Sequence, residues 1–308
     1  METIWGLDKL HTQAERSVLA IGVFDGVHLG HQAIMRAVRE SALRHKACAV
    51  VVTFDRLPEE TARMDSAPPY ITTIRQKMAL IAHQGLDRAL VLEADRKLLS
   101  VPAEEFVRDV LWEKLQAAEV VVGQSFAFGR GRAGNVELLR RMGAGLGFEV
   151  TVVPPMLVGE SIVSSTAIRR MVAEGDVETA ASFLGRPFAL DGRVVPGKGL
   201  GRKLGFPTAN TEPLGRQIIP ANGVYAVEVA VRGIRAGGAA SIGTRPTLDN
   251  GRRSIEVYII GFSDEIYGEE IEVSFRHRLR GEIRFPNAES LVEQIRRDVD
   301  RAGALLSP

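Results

Sequence analysis

The chain has 308 residues, 45% hydrophobic and 25% charged, a globular composition long enough for two domains with a core in each; it excludes a disordered, collagen-like or coiled-coil chain. Lys plus Arg number 39 against 38 Asp plus Glu, so a net charge of +1 provides no global field toward nucleic acid or an anionic membrane, and neither partner is expected. The single cysteine, Cys48, rules out an intrachain disulfide and reads as a buried strand residue rather than a catalytic thiol. Residues 1–10 carry scattered charge, and nowhere do about 18 apolar residues run together, so neither signal peptide nor membrane span is expected and a cytoplasmic location is.

From the N-terminus, short β-branched runs alternate with amphipathic stretches, the pattern of βαβ units and a parallel sheet. Residues 18–24 read as a buried strand, 31–45 as a helix and 48–54 as a second strand. Helices are predicted over 74–83, 103–115 and 135–142, with strands at 89–92, 120–122 and 149–153. Two shorter helices follow at 166–173 and 177–183. From about Gly185 the texture changes to glycine-punctuated runs of alternating polarity: 188–195, 224–231, 238–242, 254–260 and 271–275. Evenly spaced short strands of this kind argue for a small antiparallel barrel, and 288–305 then returns to helical spacing. The expected fold class is α/β: a Rossmann-like domain with a parallel sheet over 1–185, then a small antiparallel β-barrel with a C-terminal helix over 186–308.

Two stretches carry chemistry. The first, Gly22-Val23-Phe24-Asp25-Gly26-Val27-His28-Leu29-Gly30-His31, lies where the first predicted strand hands over to a helix. Glycines there let a backbone approach a polyphosphate, the helix N-terminus attracts anions, and His28 and His31 can donate to charge developing on phosphorus. A zinc site is the rival, but no Cys or third His lies close by in sequence. The second stretch runs from Gly197 through Lys198, Gly201, Arg202, Lys203, Gly205 and Thr208 to Asn210. It is either an anion-binding loop or an ordinary β-turn; it is neither a Walker A motif nor a dinucleotide fingerprint.

The decapeptide resembles the HxGH signature of the nucleotidyltransferase superfamily. Residues 162–169, with Ser164, Ser165, Thr166 and Arg169, resemble its triphosphate-binding segment. Residues 201–210 resemble the riboflavin kinase signature, followed in order by further blocks: Gly223 to Val227, Ile242 to Thr247, Ile255 to Tyr258, Tyr267-Gly268, and Leu279 to Glu282 with Phe285. Nearly the whole chain is thus similar to the bacterial bifunctional riboflavin kinase/FAD synthetase family.

That resemblance implies a kinase that makes FMN from riboflavin and ATP, and an adenylyltransferase that joins FMN to AMP from ATP, giving FAD and pyrophosphate. It implies Glu256 as the kinase base, and Gly197, Gly201, Lys203, Gly205, Thr208 and Asn210 around the kinase ATP, with Thr208 and Asn210 also holding Mg²⁺. Arg280 and Glu282 match the flavin end, where a plain rim ion pair is the structural alternative. In the adenylyltransferase, His28 and His31 are the implied catalytic pair; Gly22, Phe24, Asp25, Gly30, Ser164, Ser165, Thr166 and Arg169 would bind ATP. The chain departs from the family pattern at Arg56-Leu57, where Pro-His is common, at Ser125 in place of Asn or Asp, and at Tyr258 in place of a frequent His. These changes leave open a kinase joined to a weakened or repurposed nucleotidyltransferase domain. The expected partners are small-molecule substrates and transiently contacted apo-flavoproteins; the sequence sets no oligomeric state.

Overall fold

The computed structural model describes residues 1–12, 15–62, 64–197, 199–244 and 253–307. Contacts divide the chain into two units, Met1–Pro68 with Ile74–Ser164, and Pro69–Thr73 with Ser165–Pro308.

The first unit is built on six parallel strands: β1 (Glu2–Trp5), β2 (Ser17–Ile21), β3 (Cys48–Phe54), β4 (Arg88–Leu92), β5 (Ala117–Gly123) and β6 (Glu149–Val153). Their order is β1-β4-β3-β2-β5-β6. Central β2 and β3 read SVLAI and CAVVVTF with nearly every side chain buried, as strands covered on both faces must be. The sequence pattern predicts five of the six. β1 escapes it because this short edge strand keeps most of its side chains exposed and so shows no buried apolar run.

Helix α1 (Leu29–His45) carries the chain from β2 to β3 on one side, whereas β5 flanks β2 on the other. The carboxyl end of β2 is therefore a topological switch point, where open parallel sheets bind ligands. Helix α2 (Ile74–Ala82) precedes β4. Residues 103–115, expected as one plain helix, run as Ala103–Glu105 and then a wider π-helical stretch, Phe106–Lys114, whose last turn is closed by Leu115 N–H donating to the Val110 carbonyl at 2.9 Å. Helix α3 (Val136–Leu146) joins β5 to β6, and a hairpin of β7 (Leu157–Val158) and β8 (Ser161–Ile162) follows.

In the second unit, α4 (Ser165–Glu174) and α5 (Val177–Leu184) precede β9 (Phe188–Val195), β10 (Thr208–Pro213), β11 (Gly223–Val231), β12 (Ile234–Thr244), β13 (Arg253–Ile259) and β14 (Glu270–Arg280). These strands close into an antiparallel barrel in the order β10-β13-β12-β11-β14-β9. Phe188, Tyr225 and Phe275 fill its interior, with Phe275 packed at ring-centroid distances of 5.9 and 5.3 Å from the other two. Both short helices dock on β14: Arg278 donates to the Glu174 carbonyl at 3.0 Å through its guanidinium and to Glu178 at 3.1 Å through its backbone N–H.

β10 is the strand that the sequence pattern does not reveal. Glycines dominate the residues before it, yet Thr208, Ala209 and Asn210 pair in register with Tyr258, Val257 and Glu256. The closing helix, α6 (Ala288–Leu306), packs Val299, Ala302 and Leu306 against Val224, Ala226, Ala239 and Leu279. Pro69–Thr73 adds a short edge to this unit: Tyr70 N–H donates to Arg216, Ile218 N–H donates to Tyr70, and the Thr73 hydroxyl donates to buried Asp191 at 2.8 Å.

Candidate active sites

The chain turns sharply as it leaves β2. Phe24, Gly26 and Val27 have φ of 51°, 83° and 40°, so two side-chain-bearing residues sit in the left-handed region, at about 1–3 kcal/mol each. Burial of both Phe24 and Val27 supplies the packing that holds them there. His28 then caps α1, its Nδ1 accepting the His31 N–H at 3.3 Å. In neutral His28 the proton is therefore on Nε2, which makes that nitrogen a hydrogen-bond donor.

The His28 and His31 rings stack at 3.5 Å, and Phe24 meets His31 edge-on at 5.1 Å. A Cβ on Gly30 would come within 3.2 Å of the His28 ring, and one on Gly22 within 2.9 Å of the Phe24 ring, so both glycines make room for these aromatic neighbours. His31 Nδ1 is buried without a hydrogen-bond partner among the described residues. Burial, His28 and Lys77 hold the His31 imidazole well below its ordinary pKa, so it is neutral at pH 7. Asp25, within this turn, is buried, and α1 has no acidic residue in its first turn to repel an anion.

The sequence pattern misses Lys77 and Thr53. Lys77 Nζ donates to the Phe54 carbonyl at 2.6 Å and to the Val23 carbonyl at 3.3 Å; Thr53 Oγ1 donates to the same Val23 carbonyl at 3.1 Å. Burial lowers Lys77 to about 8, against the opposing charges of Asp25 and Asp55. A lysine in a helical repeat reads as a solvated residue, and only the three-dimensional packing shows otherwise. At the departures from the family pattern, Leu57 is buried, and Arg56 is paired with Asp55 at 2.8 Å rather than standing as an isolated cation. Ser125 is exposed in a turn closed by Phe126 N–H donating to the Gly123 carbonyl at 3.1 Å.

Of the segment matched to triphosphate binding, Ser164 ends the first unit, while Ser165, Thr166 and Arg169 open α4 in the second. Arg169 Nε donates to the Pro69 carbonyl at 2.8 Å.

The second unit holds a cavity of about 330 Å³ between the barrel and α6. Period-two alternation along β13 buries Ile255, Val257 and Ile259, and turns half-buried Ser254, Glu256 and Tyr258 to the cavity. Glu256 Oε2 lies 3.5 Å from the Thr208 hydroxyl. Thr208 also lines a second, smaller cavity with Arg202, Pro207, Phe262 and Tyr267, so it stands on a wall common to both. Tyr258 meets Phe206 edge-on at 5.5 Å and shapes that wall.

Gly197 has no room for a side chain, because a Cβ would overlap the Asn210 amide. The Gly201 carbonyl accepts the Phe206 N–H at 2.8 Å, Gly205 has φ of 86°, and Lys203 is exposed. Lys198 and the Arg245-Pro246-Thr247 block lie outside the described residues. At the cavity's other end, Arg280 does not take Glu282 as its partner: its Nε and Nη2 grip Asp298 at 2.7–3.1 Å, and its guanidinium lies 5.9 Å from the Phe285 ring centre. Glu282 instead accepts from Asn222 at 3.0 Å.

Residues 10–167 match the family model described as FAD synthetase, and residues 184–306 match the one described as riboflavin kinase. A protein of Escherichia coli (strain K12) named Bifunctional riboflavin kinase/FMN adenylyltransferase is 40% identical over 97% of this chain and 96% of its own. The chain belongs to the bifunctional riboflavin kinase/FMN adenylyltransferase family. A Haemophilus influenzae member of the same name is 36% identical over the full length of both chains. A Streptococcus pneumoniae crystal structure described as a macrolide-efflux protein is 30% identical, covers 97% of both chains and superposes with a TM-score of 0.86. Among the described residues of the present family member, no helix is long and apolar enough to cross a membrane.

Proposed function

We propose that the two transfers of this family are made at separate sites of this chain. Riboflavin is phosphorylated by ATP to FMN on residues 186–308, and FMN is adenylylated by a second ATP to FAD, with release of pyrophosphate, by residues 1–185. The observation that carries the kinase half is Thr208, on the wall common to two cavities with its hydroxyl 3.5 Å from Glu256. The larger cavity suits the flavin, and the smaller one adjoins it across Thr208 on the side from which the ATP phosphates enter, which brings acceptor and donor together at Thr208.

Glu256 accepts the proton of the ribityl 5′-hydroxyl as that oxygen attacks the γ-phosphorus, and ADP leaves. Gly197, Gly201, Lys203 and Gly205 form the loop against the ATP phosphates. Thr208 and Asn210 offer hard oxygen donors, a set that fits Mg²⁺, which keeps few protein ligands and shares phosphate oxygens. When bound, Mg²⁺ neutralises charge on the phosphates. Arg280, held by Asp298, and Glu282, held by Asn222, define the flavin end.

For the adenylyl transfer, His28 donates through Nε2 to the α-phosphate, and neutral His31 stacks behind it at the head of α1. Gly22, Phe24, Asp25 and Gly30 build the turn that sets this pair, and Ser164, Ser165, Thr166 and Arg169 are the triphosphate contacts. A second reading, favoured by buried Leu57 and by the Asp55 partner of Arg56, is a full kinase with a weakened adenylyltransferase. A cytoplasmic location and handover of FAD to apo-flavoproteins complete the proposal.

The test supplies the purified chain with riboflavin and Mg-ATP, and separately with FMN and Mg-ATP, and resolves the flavins over time. FMN followed by FAD supports the first reading; FMN accumulating without FAD in either incubation supports the second.

A further inference from the structure

Among the described residues, Lys77 is a buried cation that neither transfer as proposed uses. It is buried where the chain leaves β2 for the Phe24–Val27 turn, and what it binds there is the backbone. The Val23 carbonyl belongs to the peptide that ends at the Phe24 nitrogen. Turning that peptide over would release Phe24 from its left-handed φ of 51°. Lys77 Nζ at 3.3 Å and Thr53 Oγ1 at 3.1 Å both hold this carbonyl, and the second bond from Lys77, to Phe54 at 2.6 Å, anchors the ammonium to the end of β3.

We propose that Lys77 is a positioning residue for adenylyl transfer: its ammonium clamps the Val23 and Phe54 carbonyls and so fixes the strained Phe24–Val27 turn that aims His28 and His31. This rests on the reading of that turn as the adenylyl-transfer site. The same ammonium offsets the charges of Asp25 and Asp55, in a place that must accept polyphosphate, and its field helps to keep His31 neutral.

The clamp works only while the ammonium is charged. Burial brings its loss of a proton to about 8, against the charges of Asp25 and Asp55, and the neighbouring His31 is neutral. Asp55 is held below the ordinary carboxylate range by Arg56 and the Ala94 N–H, which outweigh its burial, and His31 is lowered as well, so both titrate on the acid side.

The test uses the full-length protein as wild type, Lys77→Met, Lys77→Arg and His28→Ala, assayed for FAD formation from FMN and for FMN formation from riboflavin on the same polypeptide. Lys77→Met is expected to lower kcat for FAD formation about 10- to 100-fold, with KM for ATP changed less than about threefold and riboflavin phosphorylation unchanged. Wild-type kcat for FAD formation should decline as pH rises through about 8, and Lys77→Arg, whose guanidinium keeps its charge, should move that decline upward. A Lys77→Met enzyme with wild-type kcat, or an alkaline decline unmoved in Lys77→Arg, overturns the proposal. If Lys77→Met also loses the kinase through misfolding, the Lys77→Arg profile decides by the same criterion. His28→Ala with undiminished FAD formation would overturn the site reading itself, whereas an inactive His28→Ala beside a Lys77→Met indistinguishable from wild type overturns only the role of Lys77.

Discussion

Arg280, the last residue of β14, and Asp298, from the middle of α6, form a two-pronged ion pair of 2.7–3.1 Å in the wall of the larger cavity of the second unit. Asp298 also accepts from Gln294 at 2.9 Å. Both charges are largely removed from solvent, so taking away one strands the other. Asp298→Ala should lower stability by about 3 kcal/mol and raise KM for riboflavin about tenfold, while FAD formation from supplied FMN is retained. Thermal unfolding and steady-state kinetics on the two substrates check this.

Glu256→Gln should reduce FMN formation by about 10²- to 10⁴-fold and leave conversion of FMN to FAD largely intact; His28→Ala should do the reverse. A folded variant losing both activities would contradict the division between the two units.

Gly197→Ala adds a methyl where the Asn210 amide lies, without placing the backbone in a left-handed conformation. Asn210 must then move, and the expected result is a loss of about tenfold in kcat/KM for ATP in the kinase reaction, with riboflavin binding measured by fluorescence unchanged.

Burial lifts the Cys48 thiol to about 11, so at pH 8 the thiolate is scarce and the sulfur is covered. In the native protein Cys48 should not react with a thiol-specific chromophore at pH 8, and should react promptly in denaturant.

His31 should remain neutral on acidification well past the usual histidine midpoint, because burial, His28 and Lys77 all lower it. Its protonation then belongs to the low-pH side, so FAD formation should not fall between pH 7.5 and 6.5 on its account. Histidine ring resonances followed by NMR across that range, with His31→Asn for assignment, give the check.

The sheet and barrel were legible where periodicity is strong. β2 and β3 are almost wholly apolar runs, and β13 alternates, so both core patterns stand in the sequence. β1 and β10 were not: β1 is mostly exposed, and β10 follows a glycine-rich loop that hides its ladder. His28, His31 and Glu256 were nominated by motif, yet no spacing along the chain discloses that Arg280 turns to Asp298, or that Lys77 reaches back to Val23. Partnerships separated by 18 and 54 residues are fixed by packing, which a linear pattern does not encode.

Five residues from the first half of the sequence are built into the second unit, and this sets a rule for anyone who would take the enzyme apart. The Thr73 hydroxyl answers buried Asp191, and the Ile71 carbonyl answers the Gln217 amide at 2.9 Å. A gene cut at residue 185 removes both of these hydrogen bonds from two interior polar side chains of the barrel. The second unit is thus discontinuous in sequence, and a fragment that begins at residue 186 lacks residues 69–73 and 165–185 of it.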